Sequence, residues 1–340
     1  MVRCRLPYYP FVQVLRGIAA LGVVTFHASE SAEIGAAGVD LFFVISGFLM
    51  AGISNFFSPN PIAPSQFFAK RIIRIVPLYW FYTTLFLALY EVMPNLFHTS
   101  RPDVWHSIAS YLFVPYPRFD GSQYPVLNVG WTLNLEMMFY LVFGTSLLLS
   151  LRERMVFVAS AILVFSSLAL IYFPCLWWQT WFANPLYVEF LFGLLIGWLT
   201  FRGFRLPEYA AWGLVVLGFI MLPILPSDTR ALSWGLCATV IVLGAVSIDR
   251  KMPSLLVLIG DASYSIYLFH FFTVPATRRM LAFSDVHFRI AAIIIVSAVA
   301  GVVAYRLIEI PLISWARSAL PTRNRHALPS VRGYADVDKP

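Results

Sequence analysis

Charge is what this sequence has least of. Only 12% of its 340 residues are Asp, Glu, Lys or Arg, whereas a soluble domain carries about 25%. Hydrophobic residues make up 59% and the mean hydropathy is +0.76. That balance excludes a solvated globular domain and indicates a polytopic membrane protein. Cysteine is nearly missing as well. Cys4, Cys175 and Cys237 stand far apart with no CxxC spacing, which supports neither a disulfide framework nor a zinc site, so no metal is expected. No nucleic-acid motif and no internal repeat is present. The net charge of +7, from 24 basic against 17 acidic residues, therefore reads as membrane topology, with no nucleic-acid partner.

What is present is a series of apolar runs. A stretch of about 20 residues spans a bilayer core, and on that measure there are about ten, near 11–29, 37–55, 72–91, 129–149, 155–173, 185–201, 209–225, 231–248, 254–274 and 288–310. The expected fold is all-α: about ten transmembrane helices in one bundle over 1–310, followed by a polar, Pro- and Arg-bearing cytoplasmic tail, 311–340, that is largely disordered. The basic start precedes an apolar run longer than a signal-peptide core, which predicts an uncleaved first helix. Phe67 to Arg74 reads as an amphipathic helix lying in the interface before the third span. Residues 92–128 form a long loop in which Ile108 to Val114 is too short to cross. With the N-terminus in the cytoplasm, 18 Lys and Arg fall on the inner side and 6 on the outer, with Arg278 and Arg279 the main dissent. The bias predicts both termini inside.

Against this background the ionisable residues within spans stand out. Arg16 and His27 lie eleven positions apart in the first span, close to three helical turns, and so point the same way about 16 Å apart along the axis. A charge there costs about 2.5–3.5 kcal/mol, which marks both as candidates for function, the bland reading being a snorkelling Arg and a helix-end His. Asp40 opens the second span just across a short turn from His27. It either orients the imidazole or caps its own helix, and the two roles can coexist. Ser46 and Gly47 suit close helix packing, and Ser46 has no base near it in sequence to make it a nucleophile. Arg71 and Arg74, three apart, share a helical face. With Arg16 they bring three guanidiniums to one depth, a cradle for an anionic cytosolic ligand. Glu136 lies about two turns into the fourth span, on the face of Thr132. It is a partner for an arginine, a second acid–base group, or half of a purely structural ion pair. Ser263, Tyr267 and His270 form a polar stripe at i, i+4 and i+7 that suits a cavity wall. Glu309 and Pro311 close the last span, and Tyr187 and Glu189 receive no role.

These stretches, in this order, resemble the acyltransferase 3 family of bacterial membrane O-acyltransferases. The resemblance rests on Leu15-Arg16-Gly17-Ile18-Ala19-Ala20 through His27, Gly38-Val39-Asp40 through Ser46-Gly47-Phe48, Arg71 and Arg74 with Pro77, Trp131-Thr132-Leu133 with Glu136, and Ser263 through Leu268 with His270. It covers roughly residues 10–310 and is nearest to the exopolysaccharide-modifying subgroup. It implies a ten-helix domain in the bacterial inner membrane that moves an acyl group, usually acetyl, from acyl-CoA to a sugar hydroxyl. The acceptor would be a glycan or a lipid-linked sugar. Arg16 and His27 then carry the family's essential first-span pair, and Arg71 and Arg74 its paired arginines. The appended hydrolase-like domain of some members is not seen, so the acceptor is expected to be bound by the membrane domain and its loops.

Combined with the residue reading, Arg16, Arg71 and Arg74 would hold the phosphates of acyl-CoA, acetyl-CoA being the expected donor. His27 would act as base or acyl relay, with Glu136 and Asp40 setting the local charge. Trp131, Tyr267 and His270 would flank the substrates. The competing classes are a secondary transporter or exporter of polysaccharide precursors, for which repeated halves with broken helices would be expected, and a non-catalytic scaffold or sensor, which needs no Arg, His and Glu inside the bilayer.

Overall fold

The computed structural model describes residues 8–29, 32–93, 102–118, 121–171, 182 and 184–319. Among these the secondary structure is helical throughout, with no strand. The chain runs α1 (Pro10–Ala28), a 3-10 turn (Glu33–Ala36), α2 (Ala37–Ile53), α3 (Pro64–Val92), α4 (Val104–Tyr111), α5 (Trp131–Ser146), α6 (Leu151–Ile171), α7 (Tyr187–Phe201), α8 (Glu208–Met221), α9 (Arg230–Ala245), α10 (Ser254–Asp261), α11 (Ser263–Met280), α12 (Val286–Ala304), a π-turn (Tyr305–Glu309) and α13 (Ile310–Ser318). Pro10 and Pro64 open their helices, where the missing N–H has no intrahelical partner to lose.

Each of the ten apolar stretches carries helix. Among the described residues, the length and hydropathy needed to cross a membrane are met by four segments: Pro10–Ala28, Glu33–Ile53, Pro64–Val92 and Val286–Ser318. A fifth is added if α10 and α11, bent by 69° at Asp261–Ser263, form one broken span. Tyr187–Phe201, Glu208–Met221 and Arg230–Ala245 are apolar but shorter.

Three local expectations change. The separate interfacial helix at 67–74 does not exist. It is the first part of α3, which runs unbroken from Pro64 through Pro77 to Val92, so Arg71 and Arg74 face the interior of the bundle end. The ninth stretch is not straight but bent, at the point where Gly260 lies against Gln13 of α1. Helix also continues past 310, through the π-turn and α13 to Ser318, while the tail beyond 319 lies outside the described residues. The short helix expected near Ile108 is α4. Asp103 caps it by accepting from the His106 N–H at 2.7 Å, and Trp80 Nε1 donates to Tyr111 O at 2.8 Å, tying α4 to α3.

The core is aromatic. Phe139 stacks on Phe190 with ring centroids 4.1 Å apart, and Phe43 meets the same ring at 4.7 Å. α2 and α7 approach backbone to backbone, because a Cβ on Gly193 would stand 2.1 Å from Val44 O and one on Gly47 2.2 Å from Phe190 O. Glycine at this crossing is what lets the aromatic layers on either side interlock. Replacing Gly193 with Ala is therefore expected to lower stability by about 1–3 kcal/mol, an overpacking cost. Gly213→Ala, where a Cβ meets nothing within 4 Å, should leave stability unchanged or raise it. Thermal unfolding of the two variants in detergent, monitored by size-exclusion chromatography, checks the contrast.

Candidate active site

Polar side chains collect at two ends of the bundle. At the end formed by the starts of α1, α3 and α11 lie the arginines. Arg16 Nη1 donates to Gln13 Oε1 at 3.0 Å. Arg74 forms an ion pair with the buried Glu309, whose other oxygen accepts from Ser265 Oγ at 2.5 Å. The Arg74 guanidinium also lies over the Tyr264 ring, 5.5 Å from its centroid. The π-turn carries Glu309 at its last position. Such an insertion re-aims one residue without ending the helix, and here it presents a carboxylate to α3. Asp261, at the bend between α10 and α11, lies within electrostatic reach of both Arg16 and Arg74. Arg71 takes a different direction from Arg74 and sits over the Tyr140 ring at 5.9 Å.

A line of hydroxyls and one carboxylate runs inward from Arg71. Tyr140 OH donates to Glu136, and Ser46 Oγ donates to Glu136 Oε1 at 3.0 Å. Glu136 is within electrostatic reach of Tyr264 on one side and Tyr267 on the other. Tyr267 OH is in turn 2.8 Å from Thr132 Oγ1 and 2.8 Å from Val129 O.

At the far end, the rings of His27 and His270 lie 5.1 Å apart. His270 is 1% exposed and neither ring nitrogen has a hydrogen-bond partner. His27 is exposed at the end of α1. Arg278 Nη2 donates to His27 O at 2.7 Å and to Ala28 O at 3.3 Å, so a cation closes the C-terminus of α1 where its carbonyls are orphaned. Of the two arginines that dissent in the charge count, Arg278 has this structural role. Tyr267 is beside His270, with ring centroids 5.8 Å apart. Trp131 opens α5, half-buried, next to the Thr132 that meets Tyr267.

The structure thus brings His27, His270 and Tyr267 together and places Glu136 between the two ends. Asp40 is not on His27. Both its oxygens are engaged by Arg230, through Nε at 3.1 and 3.0 Å and Nη2 at 2.7 Å. The spacing across the α1–α2 turn is short, but a fully buried carboxylate takes the guanidinium that α9 delivers. Glu189 is 0% exposed and lies against Asp40 and Arg230. Residues that sequence reasoning passed over are therefore Arg230, Arg278, Asp261, Ser265 and Glu309 as the partner of Arg74. Arg230 and Arg278 left a signal in the sequence, as two of the six basic residues that the charge count assigns to the outer side.

Breaking a buried pair from one side strands a charge and costs about 3–5 kcal/mol. Arg74→Met and Glu309→Met are each expected to destabilise by that order, and the double substitution to recover most of the loss. Thermal unfolding of the three variants checks this double-mutant cycle.

Residues 9–307 match the acyltransferase domain family. The exopolysaccharide production protein ExoZ of Rhizobium meliloti (strain 1021) is 35% identical over 312 residues, 86% of this chain and 95% of that protein. BcsY of Komagataeibacter xylinus is 28% identical, over 92% of this chain and 85% of that one. The peptidoglycan O-acetyltransferase OatA of Listeria monocytogenes is 30% identical over 160 residues, 43% of this chain and 25% of that one. No solved structure matches. A match that runs through both polar ends of the bundle, with a relative as similar as ExoZ, identifies the chain as a member of the acyltransferase 3 family of membrane acyltransferases.

Proposed function

We propose that the protein is a membrane O-acyltransferase that moves an acyl group, acetyl, from acyl-CoA to a sugar hydroxyl of a cell-surface or exported polysaccharide. The observation that carries this reading is the separation of the two ends. Arginines occupy one and a pair of histidines the other, about 16 Å apart along α1, with Glu136 and its hydroxyl partners between them. The names of ExoZ and OatA support a polysaccharide acceptor.

In this reading the chain crosses the bacterial inner membrane about ten times with both termini in the cytoplasm. The arginine end faces the cytosol and the histidine end the opposite side. Arg16 and Arg71 hold the phosphates of acyl-CoA. Arg74, neutralised by Glu309, shapes that entrance and contributes less charge than its neighbours. The thin pantetheine arm passes along the Ser46–Glu136–Tyr140 line towards His27. There the acceptor hydroxyl loses its proton to the imidazole as its oxygen bonds to the thioester carbonyl carbon. The C–S bond then breaks, and the sulfur leaves as the CoA thiolate, which takes up the proton. His270, buried against His27, fixes the ring and offers a second nitrogen for that proton, while Tyr267 and Trp131 flank the acyl arm or the sugar. Asp40, held by Arg230, sets the charge of this end from a distance. General-base help of this kind is worth about 10²–10⁴-fold.

His27→Ala is expected to abolish transfer with normal membrane insertion, and His270→Asn to lower kcat by about 10–100-fold within the range of such proton-transfer steps. Arg71→Ala should instead raise the KM for acetyl-CoA with kcat nearly unchanged, as loss of uniform binding does. Membrane vesicles supplied with ¹³C-acetyl-CoA, followed by NMR of the extracellular polysaccharide, read all three. Full labelling by His27→Ala would refute the mechanism, and a polysaccharide unlabelled by the wild type would refute the function.

A further inference from the structure

A cleft of about 360 Å3 opens at the histidine end, between the 3-10 turn and the connection from α8 to α9. Its walls include Glu33, Ile34, Leu222, Pro223, Ser227 and Trp234. None of these belongs to the histidine pair or to the arginine end.

Three features give the cleft a chemistry. First, Trp234 is 6% exposed, yet its Nε1–H has no hydrogen-bond partner, although a buried indole N–H normally finds an acceptor. Second, the ring is held in place. Arg230 lies over it at 5.4 Å from the centroid, while the same guanidinium bonds Asp40 and donates from Nη2 to Ala36 O at 2.8 Å. One side chain therefore ties α9, α2 and the 3-10 turn together around the cleft. Third, Glu33 supplies a carboxylate with no ion pair among the described residues and Ser227 a hydroxyl, against the apolar faces of Ile34, Leu222 and Pro223.

An anion does not suit this lining, because its nearest cation is committed to Asp40 and Glu33 repels it. A sugar ring does. Its C–H face packs on the apolar wall beside the indole edge, its hydroxyls donate to Glu33 and Ser227, and one of its oxygens accepts from the unpartnered indole N–H once the side chains at the cleft mouth adjust. The volume is at the low end of ligand sites, about 300–1,000 Å3, with room for roughly one or two sugar rings. The cleft is also close to the chemistry. The 3-10 turn lies so tightly on α1 that a Cβ on Gly35 would stand 2.3 Å from Gly22 O and 2.9 Å from Phe26 N, one residue before His27.

We propose that this cleft binds a sugar unit of the acceptor chain adjacent to the one that is acylated, and so selects the polysaccharide. The proposal rests on the acyltransferase reading above. It is tested with the full-length protein in lipid nanodiscs, using oligosaccharide fragments of the producing cell's own exopolysaccharide as the probe. Glu33→Gln alters an exposed side chain. Trp234→Phe keeps an aromatic ring under Arg230 and removes the N–H donor together with part of the indole. Each is expected to raise the KM for the fragments about tenfold, with kcat and the KM for acetyl-CoA within about twofold. Leu232→Ala, an exposed position on α9 outside the cleft, should change neither. An unchanged fragment KM in both cleft variants would overturn the subsite, and would be the result if a lipid headgroup occupies the cleft instead. Saturation-transfer NMR of the fragments separates the two readings. If the wild type transfers no acyl group, the function falls, yet fragment binding by the wild type that weakens in both cleft variants still upholds the subsite, and equal binding by all three overturns it.

Discussion

A charge buried in a bundle that water does not reach is costly unless it is paired or hydrogen-bonded, and two such pairs set much of this fold. The buried carboxylates of Asp40 and Glu309 are each claimed by an arginine far away in the chain, Arg230 at a separation of 190 residues and Arg74 at 235. Hydrophobic packing among the remaining side chains is strong but has little direction. The two ion pairs supply direction. One pins α2 to α9 at the histidine end, and the other pins α3 to the π-turn at the arginine end. Sliding a helix by one turn would strand an ion at either place, at a cost of several kcal/mol. The apolar layers cannot impose such a penalty.

The same economy of charge shapes the site. Three arginines were expected to share one ligand at one depth, but they are not equivalent. Arg74 is bound to Glu309, Arg16 leans on Gln13, and Arg71 lies over an aromatic ring beside the Ser46–Glu136–Tyr140 line. At the other end, exposed His27 is backed by buried His270, and the helix that bears His27 is closed by Arg278. An imidazole at a helix terminus would otherwise fray with the last turn. Here the guanidinium holds the last carbonyls and so fixes where the ring can go.

Much could be read before any coordinates. The apolar runs gave the helical class, because no other backbone arrangement short of a closed barrel satisfies its own hydrogen bonds in lipid. Arg16, His27, Glu136 and His270 were conspicuous because ionisable residues in apolar helices are costly, and the order of their motifs pointed to the acyltransferase family. Gly47 was legible as a close-packing residue, and it does meet Phe190 O. The reading went astray where it depended on what lies nearby in space rather than in sequence. Asp40 is close to His27 along the chain, yet Arg230 takes it. The segment 67–74 is amphipathic, but its charged face is turned to the bundle end and needs no interface.

The sequence by itself determined that this chain is a helical membrane protein with polar residues at opposite ends of its first span, because hydropathy and the 3.6-residue period are local properties. Only the tertiary structure decided which of those residues meet. The bend at Asp261–Ser263 and the π-turn that ends at Glu309 are not set by composition, and the partners of buried charges come from segments 190 and 235 residues apart. His270 beside His27, Glu309 beneath Arg74, and Asp40 in the grip of Arg230 are all products of that long-range pairing.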